Sequence, residues 1–216
     1  MKRLMLDTAI RLMQSGGSPS VSEVAEAAEV SRATAYRYFP SQAAMIQAAV
    51  DDALGPILDW TPGEGDGDAE ANVVALFRFA YKRMEAYEAT HRAALLLALD
   101  QWQRRRAGTL GAEARVVRGN RRGLLKAATA PLEDAIGRDA AERVTQAMSL
   151  VFGIEAIIIL KDIWGLDAAA AEDVASWAAR AMIRTALAEA AEGETAAAAE
   201  TVPDGKTTGR PRKKGA

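Results

Sequence analysis

The stretch from residue 20 to residue 50, SVSEVAEAAEVSRATAYRYFPSQAAMIQAAV, carries the clearest local signals in the chain. Ser20 is followed three residues later by Glu23, the spacing of a capping box in which each side chain bonds to the backbone of the other residue. This pair predicts a helix that begins at Val21. Its alanines are small, so another helix can approach its inner face closely.

A second helix start follows at once. Glu29 is near the end of the first helix, and Ser31 is a suitable N-cap residue with Thr34 at the third position of the new helix. Pro40 then stops this helix, and Ser41 can cap a third one. Two short helices joined by so tight a break cross at a steep angle, which is the geometry of a helix-turn-helix.

The second helix of such a motif enters the DNA major groove with its amino-terminal residues nearest the base edges. Arg32 and Ala33 occupy these positions. Arginine suits the O6 and N7 acceptors of guanine, and an alanine methyl suits the methyl group of thymine. Thr34, Tyr36 and Tyr38 carry hydroxyls that can donate to phosphate oxygens and so position the helix. The alternative interpretation is an ordinary three-helix bundle with exposed tyrosines.

Residues 24–50, VAEAAEVSRATAYRYFPSQAAMIQAAV, resemble the DNA-binding region of the TetR family of bacterial transcriptional regulators. The resemblance covers about residues 4–54 and rests on Val30-Ser31, Thr34, Tyr36 and the run Tyr38-Phe39-Pro40-Ser41. It implies an all-α fold, in which a three-helix helix-turn-helix DNA-binding domain precedes a larger helical domain for ligand binding and dimerisation. It also implies DNA contacts: bases or backbone for Arg32, Ala33 and Arg37, and phosphate for Thr34, Tyr36, Tyr38 and Gln42.

Three residues depart from the family's pattern. Glu29 stands where glycine is usual in the turn, and a non-glycine residue at positive φ costs about 1 kcal/mol. Ala35 replaces a large aliphatic residue, so about 2 kcal/mol of burial is lost unless a neighbour fills the space. Gln42 replaces the usual lysine and removes one phosphate contact charge per subunit. Together these differences predict weaker DNA binding on an unchanged fold.

The composition limits the kinds of site that the chain can build. Its 216 residues include no cysteine and a single histidine, His91. A disulfide framework and a thiolate metal site are excluded, and one histidine leaves little for a metal or catalytic centre. We therefore expect no cofactor, no metal and no enzyme activity, and we interpret His91 as part of a helix start.

The apolar pattern favours a cytoplasmic protein. No charged-then-apolar leader opens the sequence. The longest apolar run, residues 150–160, is about half of the ~20 residues that cross a bilayer, and it contains Glu155. We therefore expect no membrane span and interpret the run as a buried helix.

Two basic segments are concealed by the net charge of −2. Residues 104–126 are interpreted as a solvated helix face, with an anionic ligand or partner as the alternative. The other segment is near residue 216, where Gly209, Arg210, Pro211 and Arg212 resemble the AT-hook, a tail that lies in the minor groove of A·T-rich DNA. A solubilising basic tail is the alternative interpretation.

Helix-forming residues dominate nearly every segment, and no segment alternates as a strand would. Pro62 and three glycines mark a linker. The domains predicted from these signals are a DNA-binding domain over 1–54, a linker over 55–68, a helical effector-binding and dimerisation domain over 69–192, and a disordered basic tail over 193–216. The helices predicted in the larger domain cover 69–89, a shorter segment from about 91, 113–136, 139–164, and 167 to about 191.

An apolar effector pocket in the larger domain is implied by the resemblance. The aromatic and methionine residues that are candidates for its lining are Phe77, Tyr81, Met84, Tyr87, Trp102, Phe152 and Trp164. At helical spacing, each of them is explained more simply as core. Glu155 needs a partner if it is buried, and an arginine, a ligand or another subunit can supply it.

The last two predicted helices favour a homodimer. The helix over 139–164 is apolar on more than one face, and alanines surround Trp177 in the last helix. A helix that is apolar all round packs on two sides. A four-helix interface across a two-fold axis supplies the second side, and deep burial within one chain is the alternative.

Taken together, these features predict a homodimeric TetR-like repressor that binds an inverted-repeat operator in double-stranded DNA. We expect an apolar small molecule to bind the larger domain and release the DNA. An architectural DNA-binding protein without an effector is the main alternative. An enzyme is a third interpretation, but no nucleophile-base pair or metal cluster supports it.

Overall fold

The computed structural model describes residues 1–63, 68–113, 115–116 and 119–200, and all regular structure in these residues is helical. This confirms the predicted all-α fold. The helices in chain order are α1 (Lys2–Gln14), α2 (Val21–Ala27), α3 (Arg32–Tyr38), α4 (Gln42–Leu58), α5 (Ala69–Ala86), α6 (Glu88–Arg106), α7 (Arg121–Thr129), α8 (Leu132–Ile136), α9 (Arg138–Met148), α10 (Ile154–Ile158) and α11 (Ala168–Glu200). A π-helical turn over Ile159–Ile163 continues α10.

The helices α2, α3 and α4 begin where the capping residues predict. The Glu23 amide donates to Ser20 Oγ at 3.2 Å, and the Ser20 amide donates to the Glu23 carboxylate at 2.7 Å. Ser31 and Ser41 accept the corresponding amide bonds at the starts of α3 and α4. The capping box and both further caps are therefore confirmed.

A small core lies among α1 to α4. Its fully buried side chains include Met5, Met13, Phe39 and Met45. Ala35, the residue expected to leave space, is also fully buried. Its neighbours in the cluster therefore cover this small side chain completely.

The helix-turn-helix unit rests on α6 of the larger part of the chain. Ala93 and Leu97 of α6 are buried in the same cluster as the α1 and α4 side chains. Gln14, the last residue of α1, donates a hydrogen bond to the Ala86 carbonyl at 3.3 Å. A movement of α6 therefore moves the packing surface of the smaller unit.

The larger core lies among α5, α7, α9 and α11. Phe77 packs against Phe152 with ring centres 4.8 Å apart. On α11, the buried residues Ala171, Ala175 and Ala179 recur at four-residue spacing and are small enough for α5 to lie close to this helix. One face of α11 therefore uses its alanines to pack within the chain.

α4 runs past the predicted domain boundary and ends at Leu58. Pro56 lies inside the helix and has no amide hydrogen, so the carbonyl of Asp52, four residues earlier, loses its usual partner. Arg83 of α5 replaces that partner: its Nη2 donates to the Asp52 carbonyl at 3.3 Å, and its Nε donates to the Ala53 carbonyl at 2.9 Å. The end of α4 is therefore held by α5.

The predicted helix over 113–136 is wrong. In the described residues between Arg106 and Arg121 there is no helix, and α7 ends at Thr129. Pro131 separates α7 from α8 because it lacks the amide hydrogen that would continue the helix. The basic block is consequently divided between α6, α7 and the segment between them.

The predicted helix over 139–164 is also wrong, because it breaks after Met148. The side chain of Arg121 enters the break, where its Nη1 donates to the carbonyls of Ser149 and Phe152 at 3.0 and 2.9 Å. Gly153, at φ 125°, leaves the space for it, since a Cβ there would lie 3.0 Å from the guanidinium carbon. A long-range contact thus replaces the helical hydrogen bonds.

The start of α11 agrees with prediction, but its end does not. Asp167 caps the helix by accepting a hydrogen bond from the Ala170 amide at 2.9 Å. The helix continues to Glu200, into the segment expected to be disordered from residue 193, because alanine has the highest helix propensity. The tail residues singled out by sequence, Gly209, Arg210, Pro211 and Arg212, lie outside the described residues.

Among the helices described, none is both long and apolar enough to cross a membrane.

Candidate nucleic-acid interface and internal cavity

The recognition helix α3 buries one face and presents the other. Ala35 and Phe39 are buried in the small core, which fixes the rotation of the helix about its axis. Arg32, Ala33, Tyr36 and Arg37 are exposed, whereas Thr34 and Tyr38 are half-buried. The side chains predicted to approach DNA therefore lie on or beside the exposed face. Their contacts with DNA stay a prediction.

Two arginines of α3 remain available for an anionic partner. In the described part of the chain neither Arg32 nor Arg37 forms a salt bridge. The guanidinium carbon of Arg37 lies 5.4 Å from the centre of the Tyr38 ring, a cation–π contact that orients it without neutralising it. Both charges can therefore bind phosphate or a guanine edge.

The hydroxyl groups near α3 have local partners within the protein. Ser31 Oγ donates to Thr34 Oγ1 at 3.0 Å, and the hydroxyls of Tyr36 and Ser22 lie 3.4 Å apart. The second contact joins α3 to α2. The Tyr36 ring is nearly half exposed, at 46%, so its hydroxyl remains accessible from outside the protein.

Gln42 makes bonds that the sequence did not predict. Its Nε2 donates to the carbonyls of Ser18 and Pro19 at 3.0 and 3.1 Å. A phosphate oxygen accepts hydrogen bonds and never donates them, so Gln42 would have to release these carbonyls in order to bind one. In this conformation Gln42 holds the segment between α1 and α2 in place.

The turn between α2 and α3 contains the strained residue that the sequence predicts. Glu29 has φ 53°, and it is the one non-glycine residue with positive φ in the described ranges. The Val30 amide donates to the Ala25 carbonyl at 2.8 Å, which closes the end of α2. The turn therefore adopts the left-handed backbone conformation without a glycine.

A cavity of about 110 Å³ lies between the two cores. Its walls come from α4, α6, α7 and the helix break that Arg121 fills. Of the residues predicted to line an effector pocket, Met84 and Phe152 do line this cavity. The others lie elsewhere: Phe77 and Tyr81 are buried in the larger core, Tyr87 lies under the guanidinium of Arg83, and Trp102 and Trp164 are exposed.

Glu155 is paired with an arginine, one of the partners that the sequence left open. Its carboxylate accepts a hydrogen bond from Arg121 Nη2 at 2.6 Å. Arg121 itself lies in the cavity wall, and its other nitrogen donates to the carbonyls of the helix break. The ion pair makes this part of the wall neutral overall.

His91 is the residue of this region that the sequence reasoning missed. It lines the cavity, is 7% exposed, and its Nε2 has no hydrogen-bond partner among the described residues. Burial, followed by the positive charge of Arg83, lowers the pKa of His91 to about 4, so the imidazole is neutral at pH 7. Its three-residue spacing from Ala94 on α6 is the signal that could have placed it on an inner face.

Within the part of the chain that the structure describes, no three histidine or carboxylate side chains come together as a metal site would require.

Comparison with known proteins agrees with the geometry of the smaller unit. Residues 5–49 match the family model described as bacterial regulatory proteins, tetR family. The matched range contains α2, α3 and all three capped helix starts. No curated protein matches the chain. Residues 5–49 are therefore a helix-turn-helix domain of the TetR type, and this match supports a DNA-binding transcriptional regulator.

Proposed function

We propose that this protein is a homodimeric repressor that binds an inverted-repeat operator and leaves it when a small molecule occupies the cavity between its two cores. The observation that carries the proposal is that the cavity shares two helices with the core of the DNA-binding unit. Those helices are α4 and α6.

α4 is the first shared helix. Val50 belongs both to the small core and to the cavity wall, and Leu54, Ile57 and Leu58 continue the wall along the same helix. Gly55 and Pro56 lie between these wall residues. A ligand in the cavity therefore contacts α4 both before and after Pro56, where the hydrogen bonding of the helix depends on Arg83.

α6 is the second shared helix. Its His91, Ala94 and Leu95 line the cavity, while Ala93 and Leu97 are buried against the DNA-binding unit. A ligand that favours one packing of α4 against α6 thus biases the placement of α3. Differential binding to two such states is what couples a ligand to DNA affinity.

A dimer supplies the second recognition helix that an operator needs. Two α3 helices related by a two-fold axis read the same half-site in opposite directions, about 34–36 Å apart. Exposed apolar side chains lie on α11 and on the turn before it, among them Ile163, Trp164 and Trp177. Patches of this kind mark interaction surfaces.

Selection of bound fragments from genomic DNA, followed by footprinting and mass measurement of the complex, tests operator binding. We expect a dimer to protect an inverted repeat. Protection of one asymmetric half-site by a monomer would contradict the proposal.

The roles within α3 are tested on the selected operator and on a copy with one base pair changed in each half-site. Arg32→Ala should reduce the preference for the matched operator by about 1–3 kcal/mol, because a base contact is lost. Tyr36→Phe, the control, should weaken both complexes equally, as loss of a phosphate contact does. Equal losses for Arg32→Ala on both operators would assign that residue to backbone contact.

An architectural role without an effector is the second candidate. It would be favoured if the protein bound DNA but no compound that occupies the cavity changed the affinity. Contact of the basic tail with an A·T-rich minor groove is compatible with either function and rests on the sequence of residues 209–212 alone.

A further inference from the structure

The cavity between α4, α6 and α7 contains a buried polar group that the protein does not satisfy. His91 Nε2 is buried and forms no hydrogen bond in the described part of the chain. A buried polar atom without a partner costs about 1–3 kcal/mol. The hydroxyls of Thr90 and Ser176 share this condition, but neither residue lines the cavity.

Apart from His91, the amide of Asn120 and the ion-paired Arg121, the other side chains described in the wall are apolar. Aliphatic and aromatic side chains form most of it: Val50, Leu54, Ile57, Leu95, Leu124 and Phe152. Among the residues that the structure describes, the one charged side chain of the wall is Arg121, and it is ion-paired with Glu155 at 2.6 Å. A charged ligand would have to displace that carboxylate or be buried without a counter-charge, and both alternatives are unfavourable.

The volume limits the occupant to one ring. A dry cavity of about 150 Å³ lined by apolar side chains accommodates benzene. The cavity here measures about 110 Å³. A single six-membered ring therefore fits after a small outward movement of the walls, whereas two fused rings exceed this volume.

We propose that this cavity binds a small uncharged compound with one ring and one hydroxyl group, and that the hydroxyl forms a hydrogen bond with His91. This inference rests on the function proposed above, in which the cavity is the effector site. A hydroxyl both donates and accepts, so it pairs with either tautomer of a neutral imidazole. The lowered pKa of His91, caused by burial and Arg83, keeps the imidazole in that neutral form.

The test is a titration of the full-length protein, without DNA, by calorimetry or ligand-observed NMR. Phenol, toluene and benzoate are the probes. Phenol and toluene have the same shape, so the ratio of their affinities reports on the hydroxyl alone when two variants are compared. We expect wild type to bind both neutral compounds and not benzoate.

His91→Leu should lower the phenol-to-toluene affinity ratio about fivefold, because about 1 kcal/mol of hydrogen bonding is lost. His91→Gln keeps a hydrogen-bonding group and should retain part of the ratio. This second variant also keeps the test decisive if His91→Leu folds poorly. Ala94→Leu, which fills the cavity from α6, should weaken both neutral probes alike.

Three results would overturn the inference: no phenol binding to wild type, an unchanged ratio in both His91 variants, or undiminished binding to Ala94→Leu. Each is separable from a failure of the proposed function. If phenol binds through His91 but operator affinity does not change, the ligand site stands and effector release fails. If another compound releases DNA while phenol does not bind, release stands and this ligand class fails.

Discussion

Glu29 is a non-glycine residue in a backbone conformation that favours glycine. Its φ of 53° places it in the left-handed region, which glycine adopts freely and other residues adopt at a cost of roughly 1 kcal/mol. The side chain is exposed, so no packing is lost when it is removed. The turn can therefore be improved by a single substitution.

Glu29→Gly should raise the free energy of unfolding by about 0.5–1 kcal/mol, since relief of the strain exceeds the entropy that glycine loses on folding. Urea denaturation measures this. Glu26→Gly is the matched control, because Glu26 is an exposed glutamate inside α2 and its replacement should lower stability by about 1 kcal/mol. A loss of stability in both variants would show that Glu29 is not strained.

His91 gives the fold a specific pH dependence. Its pKa is about 4 in the folded protein, against an ordinary value of 6.5. Above pH 6.5 the imidazole is neutral in both states and contributes nothing. As the pH falls from 6.5 to 4, the unfolded chain binds a proton that the folded protein does not, so this residue destabilises the fold progressively in that window.

Between pH 7 and pH 4 wild type should therefore lose on the order of 3 kcal/mol more stability than His91→Leu, at about 1.36 kcal/mol per pKa unit. Denaturation curves of both proteins at several pH values give the difference directly, and carboxylates that titrate in the same range cancel in it. Parallel pH profiles for the two proteins would show that His91 titrates normally.

At the scale of the helices, the break between α9 and α10 depends on one glycine and one distant arginine. Gly153 has φ 125° and ψ −176°, a region that is essentially restricted to glycine. A Cβ at this position would also lie 3.0 Å from the Arg121 guanidinium. The conformation of the glycine and the path of the arginine are thus linked.

Gly153→Ala should lower the free energy of unfolding by about 2–3 kcal/mol, because it adds a steric conflict to backbone strain. Gly165→Ala is the control: Gly165 has φ 66° and open space around it, so about 1 kcal/mol is expected. Urea denaturation compares the two. Equal losses would mean that Arg121 moves away without cost.

The sequence predicts helices well where the signal is local, and poorly where it is not. Ser20, Ser31 and Ser41 cap the helices that they precede, because a cap involves residues only three positions apart. Gly153 could be seen in the sequence, but the break it permits is completed by Arg121, more than twenty-five residues earlier. Pro131 is a local signal as well, and it separates α7 from α8.

The same distinction applies to the sites. The arginine and tyrosine face of α3 follows from a motif contained in a few residues. The cavity does not, since His91, Arg121 and Leu54 meet only after α4, α6 and α7 have packed. Trp102 shows that an aromatic residue at a helical position need not line a pocket. It lies on α6 and is 54% exposed.

At the scale of the whole molecule, the cavity and the small core share α4 and α6, and a third surface faces outward. α11 buries alanines against α5 and exposes Val174 and Trp177 on another face. Beside Trp177, a groove between α9 and α11 is lined by Val144, Ala147, Ala181 and Met182. In a dimer with a two-fold axis, the groove of each copy would cover Trp177 of the other copy. Both copies would then contribute the same surface to the interface.

Trp177→Glu should therefore convert the proposed dimer to a monomer at micromolar concentration, because it removes a large apolar side chain and places a carboxylate beside a mostly apolar groove. Sedimentation or light scattering measures the mass, and binding to the inverted-repeat operator should weaken in parallel. Trp102→Glu is the control, since Trp102 is also more than half exposed but lies on α6. Its mass should remain that of a dimer. If Trp102→Glu were monomeric and Trp177→Glu dimeric, the two-fold axis would pass beside α6, and each recognition helix would then be placed by the helix that also lines the ligand cavity.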